Sequence, residues 1–132
     1  MTTYPTILQP VLDTPDVRGL AEFYRRMFGL VYRPGDTDLA DPDWLVLLRP
    51  DGGRALAFQL AAGLPAATWP GGPVPQQMHL DTTVPSAAEL DVQHERALGL
   101  GASLLYDRSD DPDEPLRVYA DPAGHPFCIF VA

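Results

Sequence analysis

Lysine and asparagine are both absent from this 132-residue sequence, and cysteine occurs only once. Without lysine the chain has no lysine Schiff base and no lysine-dependent phosphate loop, and without asparagine it has no N-glycosylation acceptor. A single cysteine excludes an internal disulfide and a cysteine-rich zinc site. These absences remove several common kinds of catalytic and structural centre.

Positive charge is also scarce, because nine arginines face 18 aspartates and glutamates and give a net charge of -9. An acidic surface argues against nucleic acid and anionic membranes as partners. No apolar run reaches the roughly 18 residues of a transmembrane helix. The N-terminal residues MTTYPTILQP show no basic segment followed by an apolar one. We therefore expect a cytoplasmic protein with no nucleic-acid and no membrane partner.

The residues that are present describe one globular domain built from two similar halves. At an offset of 70 positions, apolar and turn residues of the first half match those of the second: Leu8 with Met78, Pro15 with Pro85, Leu20 with Leu90, and Gly29 with Gly99. A period near half the chain predicts two copies of one supersecondary unit. Between them, residues 63–75 contain seven glycines and prolines, which predicts a linker. The expected division is 1–62, a linker over 63–75, and 76–132.

Each half has the pattern of a strand, a helix and three further strands. Alternation predicts the first strands over 6–13 and 76–84. In the first helix Thr14 is the predicted N-cap and Pro15 the first helical residue. The second helix is predicted to begin with a capping box formed by Ser86 and Glu89. The shorter strands are predicted over 30–34, 43–49 and 54–61 in the first half, and over 102–106, 115–120 and 126–132 in the second. The predicted fold class is α+β with two βαβββ repeats.

Two units of this size resemble the vicinal oxygen chelate superfamily. The residues that carry the resemblance are VLDTPDVRGLAEFYRRMFGL in the first half and QQMHLD and YADPAGHPFCIFV in the second. The superfamily includes glyoxalase I, extradiol dioxygenases, fosfomycin resistance proteins and bleomycin-binding proteins, and the second-half motifs are similar to small glyoxalase-like proteins. The resemblance implies a curved, cup-like mixed sheet with the helices outside. It also implies a homodimer.

The resemblance further implies where a metal would bind. Metal-dependent members take four ligands from the first and last strands of each unit, and carried over by position these are Gln9, Gln59, His79 and Cys128. The family's glutamate ligands are missing, since all four glutamates of this chain lie in predicted helices or a loop. Two amides add no charge, so the set suits a divalent metal poorly. We expect no cofactor, and if a metal does bind, these four residues are its ligands.

Strand alternation places the same residues on one face without reference to the family. Gln9, Gln59, His79 and Cys128 point away from the helix side of their strands, together with small alanines. Gln77 and Asp81 share the face of His79, and Trp69 is a candidate aromatic wall at the mouth of the cup. Polar groups that converge in a concave site indicate a small-molecule ligand.

Three functions remain open at this point. The first, which the missing carboxylates favour, is a metal-independent binder of a small organic ligand. The second is a metal-dependent lyase, isomerase or dioxygenase of glyoxalase type that uses Gln9 and His79. The third is a metal-free enzyme with His79 as general base and Cys128 as a candidate nucleophile. For His79 the alternative is a structural histidine bonded to Asp81, and for Cys128 a buried apolar side chain.

Overall fold

Each half of the chain folds into a strand, a helix and three further strands, in a computed structural model that describes residues 3–132. The chain divides into two compact units between Ala62 and Gly63. The first unit contains β1 (Val11–Thr14), α1 (Val17–Phe28), β2 (Val31–Tyr32), β3 (Trp44–Leu48) and β4 (Arg54–Leu60). The second contains β5 (Leu80–Val84), α2 (Ala87–Gly99), β6 (Ser103–Arg108), β7 (Leu116–Ala120) and β8 (Pro126–Val131). The predicted α+β fold of two βαβββ repeats is confirmed.

Both units have the same sheet topology. The strand order is β1-β4-β3-β2 in the first sheet and β5-β8-β7-β6 in the second. In each sheet the first strand runs parallel to the last one, and the other neighbours are antiparallel. Among residues 3–132, no helix is long and apolar enough to span a bilayer.

The first strand of each unit is shorter than predicted. In the first unit the prediction began at residue 6, but β1 begins at Val11, directly after Pro10. Proline has no N–H to give to a sheet, so Pro10 takes part only through its carbonyl, which accepts from the Ala57 N–H at 3.1 Å. In the second unit the prediction began at residue 76, but β5 begins at Leu80.

The N-cap predicted from the sequence is found in the second unit but not in the first. Ser86 caps α2 as expected, and its hydroxyl accepts from the Glu89 N–H at 3.1 Å. The expected cap of α1 was wrong, because Asp16 and not Thr14 accepts from the Gly19 N–H, at 2.9 Å. The Thr14 hydroxyl accepts from the Asp16 N–H instead, which forms a turn just before the helix.

The core of the first unit lies between α1 and its sheet. Tyr24 is fully buried, and its ring centroid lies 5.8 Å from that of Phe58 in β4. At the edge of this core the Glu22 carboxylate accepts from Arg25 and from the Tyr32 hydroxyl, which ties α1 to β2. The bond from Arg25 is the largest cause that lowers the pKa of Glu22 to about 2.

In the second unit Tyr119 is the central buried side chain. Its ring stacks on Phe127 with centroids 5.4 Å apart, and its hydroxyl lies 2.8 Å from Nδ1 of His94 in α2. Burial raises the pKa of Tyr119 to about 12. His94 therefore packs inward, whereas Leu98, one turn further along α2, is 40% exposed.

Residues 63–75, which were expected to form a linker, lie within the second unit and fold onto it. Thr68 and Val74 close the segment into a loop, since the Val74 N–H donates to the Thr68 hydroxyl at 2.9 Å. Ala66 packs against Gly124 so closely that a Cβ at position 124 would overlap the Ala66 side chain. We call residues 63–75 the crossing segment.

Candidate functional site

The sheet of the second unit has one face against α2 and one face away from it. Arg117 and Tyr119 of β7 reach α2 through Asp91 and His94, so Val118 between them points to the opposite side. Strand pairing aligns Val118 with Cys128 of β8 and Tyr106 of β6. Cys128 is in turn paired with Asp81 of β5. We call Asp81, Cys128, Val118 and Tyr106 the distal row, because they cross all four strands on the face away from α2.

Asp81 is the centre of the polar end of this row. Its Oδ1 accepts from the Cys128 thiol at 2.9 Å and lies 3.2 Å from Nε2 of His79. The side chains of His79 and Asp81 are 51% and 59% exposed. The expected contact between His79 and Asp81 is present, but His79 is not an interior histidine. Nε2 is the imidazole nitrogen that faces Asp81, and Nδ1 is the other ring nitrogen.

Cys128 is held in its protonated form. Burial raises the pKa of its thiol to about 12, and the hydrogen bond to the Asp81 carboxylate adds to that rise. The thiol and the imidazole of His79 both approach the same oxygen of Asp81. The thiolate pair with His79 that the sequence left open is therefore not formed, since a carboxylate between the two groups opposes a second negative charge.

The two glutamines of the first unit do not lie together. Gln9 precedes β1, and its Oε1 accepts from the Arg54 guanidinium at 3.2 Å. Gln59 is exposed in β4 and is paired with Asp13 of β1. Gln9 and Asp13 are four residues apart, which is about 13 Å along an extended chain. The two amides therefore occupy opposite ends of the strand pair.

The internal repeat identifies which residues of the two units correspond. Helices α1 and α2 begin at positions 17 and 87, an offset of 70, which matches Val11 with Asp81. Val11 is paired with Ala57, and Asp81 with Cys128. Ala57 is thus the counterpart of Cys128, and it is fully buried. Gln59 lies two residues further along and corresponds to Phe130. Alternation could not separate Ala57 from Gln59, because both face the same side.

The two remaining predicted residues lie at different distances from the distal row. Gln77 is exposed two residues before His79, and within residues 3–132 it makes no contact with it. Trp69 of the crossing segment lies edge-to-face against Tyr106, with ring centroids 6.2 Å apart. Trp69 therefore extends the row at its aromatic end, and its role as an aromatic wall stays a prediction. Sequence analysis missed Tyr106 and Val118, because a bulge between Leu104 and Tyr106 interrupts the alternation of β6.

Surface clefts in the first unit lie elsewhere, along α1. One of about 370 Å³ is lined by Arg18, Asp41 and Leu60, and another of about 670 Å³ by Arg18, Arg25 and Tyr32. Arg18 donates to the carbonyls of Asp36 and Leu39 and lies over the Tyr32 ring, and Arg25 is bonded to Glu22. The cations of these clefts are engaged in holding the fold.

The donor groups do not fit a divalent metal. Among residues 3–132 there is no group of three or more histidine, cysteine, aspartate or glutamate side chains arranged to hold a metal ion. Ala57 supplies no donor at the position of the first unit that matches Cys128. The chemistry of the site is therefore that of an imidazole, a carboxylate and a thiol.

Comparisons with known proteins point to one family. A family model described as a glyoxalase-like domain matches residues 9–130. No curated protein sequence matches the chain.

Solved structures show the same fold at low sequence identity. The chain is similar to a glyoxalase/bleomycin resistance protein/dioxygenase from Nocardioides, with 20% identity and a TM-score of 0.67 over 99% of this chain and 85% of that one. It is also similar to the fosfomycin resistance protein FosX of Listeria monocytogenes complexed with Mn(II) and sulfate, with 16% identity and a TM-score of 0.67 over 98% and 94%. A possible glyoxalase from Bacillus cereus gives 17% identity and a TM-score of 0.66 over 94% and 96%.

Proposed function

The chain belongs to the glyoxalase-like family of the vicinal oxygen chelate superfamily, and from this premise we propose that it binds a small organic ligand on the distal row of its second unit. The observation that carries the proposal is the cluster at Asp81, where His79 and Cys128 meet one carboxylate on an accessible sheet face. A few polar groups beside an apolar and aromatic surface are the usual composition of a ligand site.

We propose that binding needs no metal. The support is chemical: all four glutamates lie outside the strands, and Ala57 stands in the first unit where the second has Cys128. FosX of Listeria monocytogenes is described with Mn(II), so the fold does host a metal in a relative. The donors of this chain support a different use of the same fold.

A second candidate is a metal-free enzyme in which His79 acts as general base. The contact from His79 Nε2 to Asp81 favours it, because a carboxylate that holds one imidazole nitrogen orients the other for proton transfer. Cys128 takes no part as a nucleophile in this candidate, since its thiol is protonated.

Amide chemical-shift mapping with a library of small organic fragments, in buffer containing a chelator, tests the binding proposal. We expect shifts concentrated at residues 79–83 and 127–130, and we expect Asp81→Asn to remove them. Gln77→Ala is the matched control, because Gln77 is exposed and close in sequence but contacts neither partner. Shifts that map elsewhere, or that require added manganese or zinc, contradict the proposal.

The same ligands separate the two candidates. A His79→Ala variant that binds a fragment as wild type does but no longer converts it supports the enzyme. A variant that loses binding, with no conversion by wild type, supports the binder. The homodimer also stays a proposal from the family, and sedimentation equilibrium checks it by a mass of twice the 14.4 kDa chain.

A further inference from the structure

We infer that the distal row takes an organic cation, specifically a molecule with an ammonium or similar N–H-bearing head joined to an aromatic ring by a spacer. This inference rests on the proposed function, because it names the class of ligand for the same site. It follows from the order in which the four strands present their side chains.

The row is polar at one end and aromatic at the other. Asp81 and Tyr106 are separated by Cys128 and Val118, one residue on each intervening strand. Three strand spacings put the two ends about 14 Å apart. Val118 and Cys128 are partly exposed and give the middle of the row an apolar floor. A ligand that lies across the strands meets a carboxylate first and an aromatic ring last.

The polar end accepts hydrogen bonds and carries negative charge. Oδ1 of Asp81 accepts from the Cys128 thiol and lies near Nε2 of His79, and among residues 3–132 no third side chain is bonded to this carboxylate. An exposed carboxylate that accepts one hydrogen bond from the protein retains acceptor capacity for an N–H-bearing cation.

The second unit as a whole favours a cation at this end. It contains ten aspartates and glutamates against three arginines, so it holds -7 of the net charge of -9. The arginine nearest to Tyr106 on this face is Arg108, and it is already paired with Glu114 at 2.9 Å and with Asp111 at 3.5 Å. A cationic ligand at the row therefore meets the negative field of the second unit.

The aromatic end is built from two chain segments. Tyr106 is 44% exposed, and Trp69 stands against it edge-to-face. Edge-to-face pairs leave ring faces on which a third ring can stack. The crossing segment holds Trp69 in place through the Thr68–Val74 hydrogen bonds and the packing of Ala66 on Gly124.

Calorimetric titration with three matched probes tests the inference: 6-phenylhexylammonium, 6-phenylhexanol and 6-phenylhexanoate. We expect the ammonium ion to bind at least about tenfold more tightly than the alcohol, and the carboxylate to bind more weakly than both. Shortening the chain in 3-phenylpropylammonium should weaken binding, since it cannot reach both ends of the row.

Variants assign the effect to the row. Asp81→Asn should bring the ammonium ion to the affinity of the alcohol and leave the alcohol unchanged. Asp110→Asn removes the same charge from an exposed loop residue of the same unit and should change neither by more than about twofold. Tyr106→Leu should weaken ammonium ion and alcohol alike, because the ring contact is common to both.

The outcomes distinguish this inference from the proposed function. Equal binding of alcohol and ammonium ion at the row overturns the cation preference and leaves the ligand site standing. Ammonium binding that survives Asp81→Asn, or tighter binding of the carboxylate, overturns the inference. If no probe binds, this ligand class is wrong, and the fragment mapping decides separately whether the site binds ligands at all.

Discussion

At the scale of single residues, Asp81 determines the chemistry of the site. Its carboxylate accepts from the Cys128 thiol and lies 3.2 Å from Nε2 of His79, so one side chain contacts both the sulfur and the imidazole. From the sequence, His79 and its pairing with Asp81 could be predicted, because residues two apart in a strand share a face. The Cys128 partner could not, since it depends on the register between strands 47 positions apart.

Replacing Asp81 with asparagine should make Cys128 more reactive. With a pKa of about 12, only about one thiol in ten thousand is ionised at pH 8. The Asp81→Asn variant removes a negative charge, so the pKa should fall and the alkylation rate at pH 8 should rise about tenfold for each unit of the fall. Burial, the larger cause, remains, so the pKa should stay above that of a free cysteine. Rates with iodoacetamide as a function of pH measure this.

Asp110→Asn is the control for that experiment, because it carries the same charge change on an exposed loop. An equal rise in both variants would show that overall charge, and not the bond to Asp81, protects the thiol. No rise in either would show that the burial of Cys128 alone holds the proton.

At the scale of elements, features set by neighbouring residues in the sequence could be predicted, whereas features set by contacts between distant segments could not. The βαβββ order, the Ser86 cap and the Gly29 helix end were all predictable, and Gly29 adopts φ of 66° as such an end requires. The start of β1 depends on Pro10, which has no N–H to donate to the sheet. The N-cap of α1 depends on which side chain reaches the free amide of the first turn, and that side chain is Asp16 and not Thr14. The glycine and proline content of the crossing segment predicted a linker. Such content does not reveal what a loop packs against, so the contact of this segment with the second unit could not be predicted.

Gly124→Ala should displace the crossing segment from the second unit. The added methyl group would overlap both Cβ and Cα of Ala66, and Gly124 has a φ of 93°, which strains any other residue. We expect a loss of about 2–4 kcal/mol in unfolding free energy and a change in Trp69 fluorescence as it leaves Tyr106. Fluorescence measured in a Trp44→Phe background isolates Trp69, since the chain has two tryptophans.

The matched control is Gly101→Ala in the same unit. Gly101 has a φ of 107°, but a Cβ there meets only Pro122, at an ordinary 3.7 Å. Gly101→Ala should therefore lower the unfolding free energy only through backbone strain, by about 1–2 kcal/mol, and should leave Trp69 fluorescence unchanged. The same fluorescence change in both variants would show that the close packing on Ala66 does not hold the segment.

At the scale of the whole molecule, the two units share a fold but differ in charge. The first unit has eight acidic residues against six arginines, a net charge of -2, whereas the second has -7. Five of the acids in the second unit lie between Asp107 and Glu114. The net negative charge of the second unit works against the folded state at low ionic strength, where charges act over about 30 Å.

Salt should therefore stabilise the protein, and mainly through its second unit. Raising the ionic strength from about 0.01 M to about 0.15 M should raise Tm by about 2–4 °C. Asp110→Asn with Asp113→Asn should remove much of this response, because both side chains are exposed in the acidic loop of the second unit. Asp38→Asn with Asp41→Asn neutralises two exposed acids of the first unit and should remove little. Thermal melts followed by circular dichroism measure how Tm depends on salt for wild type and the two double variants, and equal slopes for the two variants would contradict the prediction.

The match between the units also bears on ancestry. Gln9, Val11 and Ala57 of the first unit stand where the second has His79, Asp81 and Cys128, on strands with the same pairing. When a segment is duplicated within a gene, one copy can keep the chemistry while the other is free to diverge. Here the first copy has the same backbone register, with valine and alanine where the second has the acid and the thiol. It is the natural place to graft an artificial second site, by Gln9→His, Val11→Asp and Ala57→Cys, on a scaffold that already has the required strand geometry.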